Sequence, residues 1–387
     1  MVAAVIASRN GQAIQNMRAR ISLDGKPPEP EVQERYRAFS SVLTVLQKGQ
    51  IDEAVTQYLD EIEQQNWWIR NPDLSPSKSP AALRVPADMI RGLLAIARHH
   101  PMHRARAMDM AKRTGDYLVE ASDQAGVPYA PFPYWRGKSG RLGELSEKAA
   151  QMLQQCGALD NAIRKDWFVV EAVPEEYLFD TGRVGEALSE LYQVTGDARY
   201  RAWLDDAATW VSGQPLSANF NYNAFSVAFL AQLYLATGER IHLDHAVEKM
   251  QFGVLSGMID VGSSAGHWID AHNERLVYRL IMVRSLGELL LTLEQDLVAK
   301  IDAAKVQSLH ASFEQSFKAV ESQMLKKKGI SQIGPMLEVY HQIRTSATID
   351  FDVSSVLKSQ IMSAANKQII TGNGGVSAET GLYLSDS

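Results

Sequence analysis

Leu188-Ser-Glu-Leu-Tyr-Gln-Val-Thr-Gly-Asp-Ala-Arg-Tyr200 and Leu230-Ala-Gln-Leu-Tyr-Leu-Ala-Thr-Gly-Glu-Arg-Ile-His242 are two copies of one module. Leu188 and Leu230, Tyr192 and Tyr234, Thr195 and Thr237, and Gly196 and Gly238 each stand 42 residues apart. A period of that length, with apolar residues at helical spacing on both sides of a Thr-Gly stop, predicts stacked helical hairpins. Glycine supplies the left-handed C-cap, and the acidic residue after it is placed to cap the next helix. The same register aligns two polar clusters upstream, Phe179-Asp180-Thr181-Gly182 and Asn221-Tyr222-Asn223-Ala224. These read as matching loops at one end of the hairpins, with helices beginning near Arg183 and Ala224.

Outward from the repeat the pattern stays helical. Helices are expected in residues 32–65 (a pair, with Asp52 as a cap), 87–97, 104–121, 276–293, 301–324 and 353–370. No strand pattern is evident, and ten to twelve helices are expected in all. Asn71 to Pro80 reads as a loop, and Gly126 to Gly140 as a long irregular segment carrying Tyr129, Phe132, Tyr134 and Trp135. Lys326-Lys-Lys328 reads as a solvated helix end. The fold class is therefore all-α. No composition break marks a second domain, so residues 1–387 are taken as one domain, with the clearest hairpins at 176–293 and a closing hairpin conceivable at 330–387.

Composition excludes several classes. A net charge of −6 and 45% hydrophobic content describe an ordinary globular chain with no global pull toward nucleic acid or an anionic membrane. A locally basic groove, and hence an acidic polymer as ligand, stays open. The single cysteine, Cys156, rules out an internal disulfide framework or a cysteine-rich zinc site. No run approaches the roughly 18 apolar residues of a membrane span. The first residues do not form a signal-peptide core, so a cytoplasmic or periplasmic location is expected. No phosphate loop, dinucleotide fingerprint or Ser-His-Asp order is present, and no cofactor is expected.

The order Phe179-Asp-Thr-Gly, helix, Leu-Tyr-x-x-Thr-Gly-Asp-x-x-Tyr, Tyr222-Asn223, then a loop holding His272 before Tyr278, resembles the six-hairpin glycosidase superfamily. That resemblance covers roughly Glu176 to Leu293. It implies an (α/α)6 toroid of helical hairpins acting on an oligo- or polysaccharide, as glycoside hydrolases, polysaccharide lyases and sugar epimerases do. It also implies a site at the N-terminal ends of the inner helices, gathering Asp180, Asn221, Tyr222, Asn223 and the His267–Asn273 loop. The paired-aspartate pattern of unsaturated glucuronyl hydrolases is not recognisable in the chain.

The candidate residues divide by chemistry. Hydrolysis of a glycosidic bond needs two carboxyl groups across it, and Asp180 and Asp270 are the candidates. The bland alternative for Asp180 is a helix cap. Uronate elimination or epimerisation needs a proton acceptor, for which Tyr222 or His272 serves. It also needs a group to neutralise the sugar carboxylate, such as Asn221, Asn223, Arg275 or Arg279. His267-Trp-Ile-Asp-Ala-His272 matches no zinc-ligand spacing, so no metal is expected. Its residues suit a sugar site, with Trp268 as a stacking face and His272 as base or hydroxyl partner; His267 and Tyr278 are further substrate-binding candidates. Tyr129, Phe132, Tyr134, Trp135 and Arg136 read as an aromatic subsite or lid over the site, or as anchors of their loop. Trp67-Trp68 begins another such loop. His99, His100 and His103 fall at a helix-pair turn and carry no expected role. A non-catalytic helical-repeat binding protein is the third possibility, and nothing in the sequence fixes the oligomeric state.

Overall fold

The computed structural model describes residues 48–65, 82–138, 140–169, 175–295, 302–326, 333–349 and 351–361. The expected pair of helices from Val32, the Asn71–Pro80 loop, Trp67-Trp68, most of Lys326–Lys328 and the Gly-rich tail lie wholly or partly outside these residues. Within them the chain is all-α. The helices are α1 (Lys48–Gln65), α2 (Arg84–His99), α3 (Arg104–Ala125), α4 (Arg141–Gln155), the single turn α5 (Leu159–Ala162), α6 (Glu175–Thr195), α7 (Ala198–Gly213), α8 (Phe220–Thr237), α9 (Arg240–Glu248), α10 (Leu276–Gln295), α11 (Ala303–Lys326) and α12 (Ile333–Thr345). No helix among the described residues is long and apolar enough to cross a membrane.

Five of these helices form a row. α2 packs on α6, α6 on α8, α8 on α10, and α10 on α12. The helix that follows each of the first four, namely α3, α7, α9 and α11, packs on the flank of its predecessor. The sequence explains the two layers. In α8, Phe220 to Thr237, apolar residues occur on every side, and all residues from Asn223 to Ala231 are buried. A helix apolar all round belongs in the interior. α3 and α7 bury one face and expose the other, as flanking helices should.

The Thr-Gly stop works by local hydrogen bonding. Gly196 and Gly238 take φ of +66° and +75°, where an L side chain would be strained. The preceding Thr195 and Thr237 hydroxyls donate to Leu191 O and Leu233 O at 2.8 Å. Asp197 then caps α7 by accepting from Arg199 N at 2.9 Å. Glu239 departs from the expected cap: its side chain accepts no N–H of α9 and pairs instead with Arg201 of the preceding hairpin. The two repeats are thus tied across their outer turns.

Close approach of α6 and α8 is set by glycine. A Cβ at Gly182 would lie 2.6 Å from Phe225, and one at Gly185 would lie 2.4 Å from the Phe229 ring. Phe229 is fully buried there, an apolar contribution of about 1.5–3 kcal/mol.

Two expectations are corrected. The helices begin earlier than their polar residues imply: Asp180 lies in the second turn of α6, and Asn221 to Asn223 lie in the first turn of α8. Glu175 and Glu176 occupy the first turn of α6, where acidic side chains complement the helix dipole. The segment after Gly126 is also less irregular than it reads. β1 (Phe132–Pro133) and β2 (Ile163–Arg164) both pair antiparallel with β3 (Trp167–Phe168), forming a small sheet ordered β1-β3-β2. Strands of two residues are too short to carry an alternating pattern. Lys165 and Asp166, both at positive φ, turn the chain between β2 and β3.

Candidate functional site

The N-terminal ends of α2, α6, α8 and α10 bring one connected set of side chains together. Asp180 of α6 is fully buried. Its Oδ1 accepts from Arg84 Nη1 of α2 at 2.8 Å, while Oδ2 has no hydrogen-bond partner among the described residues. Burial pushes the Asp180 carboxyl upward, against the pull of Arg84, and the net direction is up. Arg84 is held from its other sides by aromatic rings. Its guanidinium lies 4.5 Å from the Phe179 centroid and 5.9 Å from that of Phe132. Phe179 stacks on Phe225 at 4.2 Å and faces Tyr222 at 6.4 Å.

A second half of the set comes from the loop before α10. His272 stacks on Tyr278 at 4.4 Å with ring planes 15° apart. Arg275 lies over the Tyr278 ring at 4.6 Å and donates from Nη2 to His272 Nδ1 at 2.5 Å. Asp270 accepts from His272 N, Asn273 N and Asn273 Nδ2 at 2.9–3.0 Å. Burial works against its charge, but these bonds outweigh it and hold the carboxyl below its usual range. Asn273 joins the halves, because its Oδ1 accepts from Asn221 Nδ2 at 2.9 Å and from Asn221 N at 3.2 Å. Tyr222, half-buried, has its phenol pushed upward by burial and by nearby Glu176.

Other candidates are turned into the fold, although Arg279 keeps Nε and Nη2 without a hydrogen-bond partner among the described residues. Asn223 is fully buried, with Oδ1 accepting from Ser217 N at 2.9 Å and Nδ2 donating to Ser217 O and Gly253 O at 2.8 and 2.7 Å. Both N–H donors of that amide and one lone pair of its oxygen are used. Trp268 is no stacking platform: it is buried, and its Nε1 donates to Val254 O at 3.1 Å. His267 Nδ1 meets Glu274 Oε1 at 2.6 Å. Arg279 is fully buried and donates from Nη1 to the same oxygen and to Gln323. Glu274 also accepts from Trp268 N, so it pins the loop to α10. Tyr134 and Trp135 are buried as well. The first contacts Glu147 and Phe168, and the second receives Lys138 over its ring. They anchor their segment, and Phe132 is its ring at Arg84.

Sequence reading missed Arg84, while Phe132 stood among the expected subsite aromatics and Asn273 at the end of the expected site loop. It also missed a charged network deeper in the row. Arg284 of α10 donates to Glu186 of α6 at 2.6 and 2.9 Å and to Glu338 of α12 at 2.7 Å. Arg91 of α2 meets Glu186, Glu190 and Glu338 at 3.0, 2.7 and 2.9 Å. Arg183 of α6 pairs with Asp88 of α2 and with Glu186. The Glu186 carboxyl, desolvated but surrounded by three guanidiniums, is held at about 2. Glu288 of α10, with fewer cations and Glu186 nearby, is pushed upward, burial being the main cause. No group of three or more His, Cys, Asp or Glu side chains among the described residues is arranged to hold a metal ion.

The fold and site define an all-α protein of packed helical hairpins with an aromatic and polar cluster at one end. No protein-family model matches the chain, and no curated protein matches it.

Proposed function

We propose that this chain is a carbohydrate-active enzyme of the (α/α)6 type, cleaving a glycosidic bond at the N-terminal ends of its inner helices. Support for the ring comes from helix order and from one ion pair. α2, α6, α8, α10 and α12 follow each other as neighbours, and Arg91–Glu338 links the first of them to the last. The aromatic rings beside placed polar groups are what a sugar site requires.

The observation that carries the reaction is the opposite displacement of two carboxyl groups at one end of the molecule. Asp180 is raised by burial and Asp270 is lowered by hydrogen bonds. Environments that push two carboxyl groups apart assign an acid and an ionised partner. Asp180 is then the proton donor to the leaving oxygen, and Asp270 the charged partner. Tyr222, Tyr278 and His272 shape the subsite, and Asn221 and Asn273 hold its two halves in register. Tyr222 as a base is disfavoured, since its phenol is raised rather than lowered.

The test is a screen of neutral and uronate-containing polysaccharides, read in parallel by new reducing ends and by the ultraviolet absorbance of an unsaturated uronate. Reducing ends without absorbance support hydrolysis. Both signals together would replace it with elimination, with His272 as base. Silence in both across the panel would favour a binding protein.

A further inference from the structure

Arg84 differs from the arginines of the charged network deeper in the row, and from Arg279, whose Nε and Nη2, unpartnered among the described residues, are fully buried. Arg91, Arg183 and Arg284 each face two or more carboxylates and are at least nine-tenths buried. Among the described residues Arg84 has one ion-pair partner, Asp180, engaged through a single nitrogen, and its side chain is 35% exposed. Guanidinium carries five N–H donors in a planar fork. Phe179 and Phe132 hold the plane in place without using those donors. Asp180 cannot swing away to satisfy more of them, since it is fixed in the buried second turn of α6. A cation of this kind is pre-oriented, and oriented donors are inexpensive to engage.

We infer that Arg84 is the recognition group for an oxyanion carried by the ligand, a carboxylate or sulfate on a sugar. The inference rests on the carbohydrate reading for the identity of the ligand, but not for the chemistry of Arg84. A planar oxyanion takes two parallel N–H bonds from the free edge of the guanidinium, opposite the nitrogen that Asp180 uses. The aromatic rings then lie beside the sugar face. Engagement also divides the charge of Arg84 between two anions. Its hold on Asp180 weakens, and the desolvated carboxyl, which Asp88 also disfavours as an anion, takes up a proton. Binding of an acidic ligand therefore loads the proton that Asp180 delivers.

The experiment titrates the full chain with trigalacturonate, with its neutral methyl ester and with sodium sulfate, following the Arg84 Nε–Hε resonance assigned by its loss in Arg84→Lys. Trigalacturonate and sulfate shift the resonance and the ester does not. The acid binds about tenfold or more tightly than the ester, a preference that collapses in Arg84→Met. Calorimetry in two buffers of different ionisation enthalpy shows proton uptake with the acid, absent in Asp180→Asn. A sulfate shift with neither sugar bound would leave the Arg84 assignment standing and remove the carbohydrate reading. An unmoved resonance with both anions, or an acid preference that survives Arg84→Met, overturns the inference.

Discussion

Arg84 and Arg284 lie on helices of the same row, and each forms ion pairs to a carboxylate of α6, yet their surroundings differ in kind. Arg284 is buried and donates to both oxygens of Glu186 and to Glu338. Arg284, Arg91 and Arg183 there each meet two or more carboxylates and are at least nine-tenths buried. Among the described residues Arg84 meets one carboxylate oxygen, lies beside two rings and is about a third exposed. Saturation marks scaffold, and unspent donors beside aromatic faces mark a site. The difference teaches that charge in this row has two uses, separated by about one to two helical turns on α6, between Asp180 and Glu186.

That comparison breaks most easily at the saturated end. Glu186→Ala leaves Arg284, Arg91 and Arg183 without their shared anion, and removing one member of a buried ion set costs about 3–5 kcal/mol. Denaturant unfolding measures it, and a loss below about 1 kcal/mol would show that the network is not structural. At the other end, Asp180→Asn keeps the shape of the side chain. It lowers turnover by about 10²–10⁴-fold, the range for removing a general acid, and changes stability far less than Glu186→Ala does. Equal damage to folding from both substitutions would erase the distinction between the regions.

Smaller effects sharpen it. Asn223→Ala strands Ser217 N and the carbonyls of Ser217 and Gly253, costing about 1–3 kcal/mol. The turnover of the folded fraction stays unchanged, because Asn223 faces the fold and not the ligand. Acid titration separates the regions by sign. Glu186 is depressed from 4.5 to about 2, so its contribution is complete above the unfolded value and is lost as pH falls from 4.5 through about 2. Unfolding free energy measured across that window falls more steeply in the native chain than in Glu186→Gln. The smallest effect belongs to the outer turns. Asp197→Ala removes a cap and costs about 1 kcal/mol, whereas Glu239→Ala loses only a surface pair, about 0–1 kcal/mol.

How far the sequence carried depends on what each residue type signals. The Thr-Gly stops and the 42-residue register were legible because glycine at positive φ and a hydroxyl at the helix end act within a few residues. Helix starts were misplaced because Asp180 and Asn221 are types that favour caps, and only tertiary contact with Arg84 and Asn273 lets them sit inside helices. The charged network was written in the sequence at helical spacing, as Arg183, Glu186 and Glu190 and as Arg284 and Glu288. Charges at such spacing ordinarily line a solvated face, and their partners lie far away in the chain. Asp180, Asn221, Tyr222 and His272 all lie at or just before the N-terminal ends of α6, α8 and α10. Asn223, Trp268, Tyr134 and Trp135 turned inward, since rings and amides serve packing as readily as binding.

The most direct measurement is a crystal structure of Asp180→Asn with the best-bound oligosaccharide from the polysaccharide screen. The account predicts a sugar lying against Phe179, Tyr222 and Tyr278, with one substituent on Arg84 and its scissile oxygen at residue 180. A sugar bound at the flanking helices, or one that leaves Arg84 and residue 180 untouched, would contradict it.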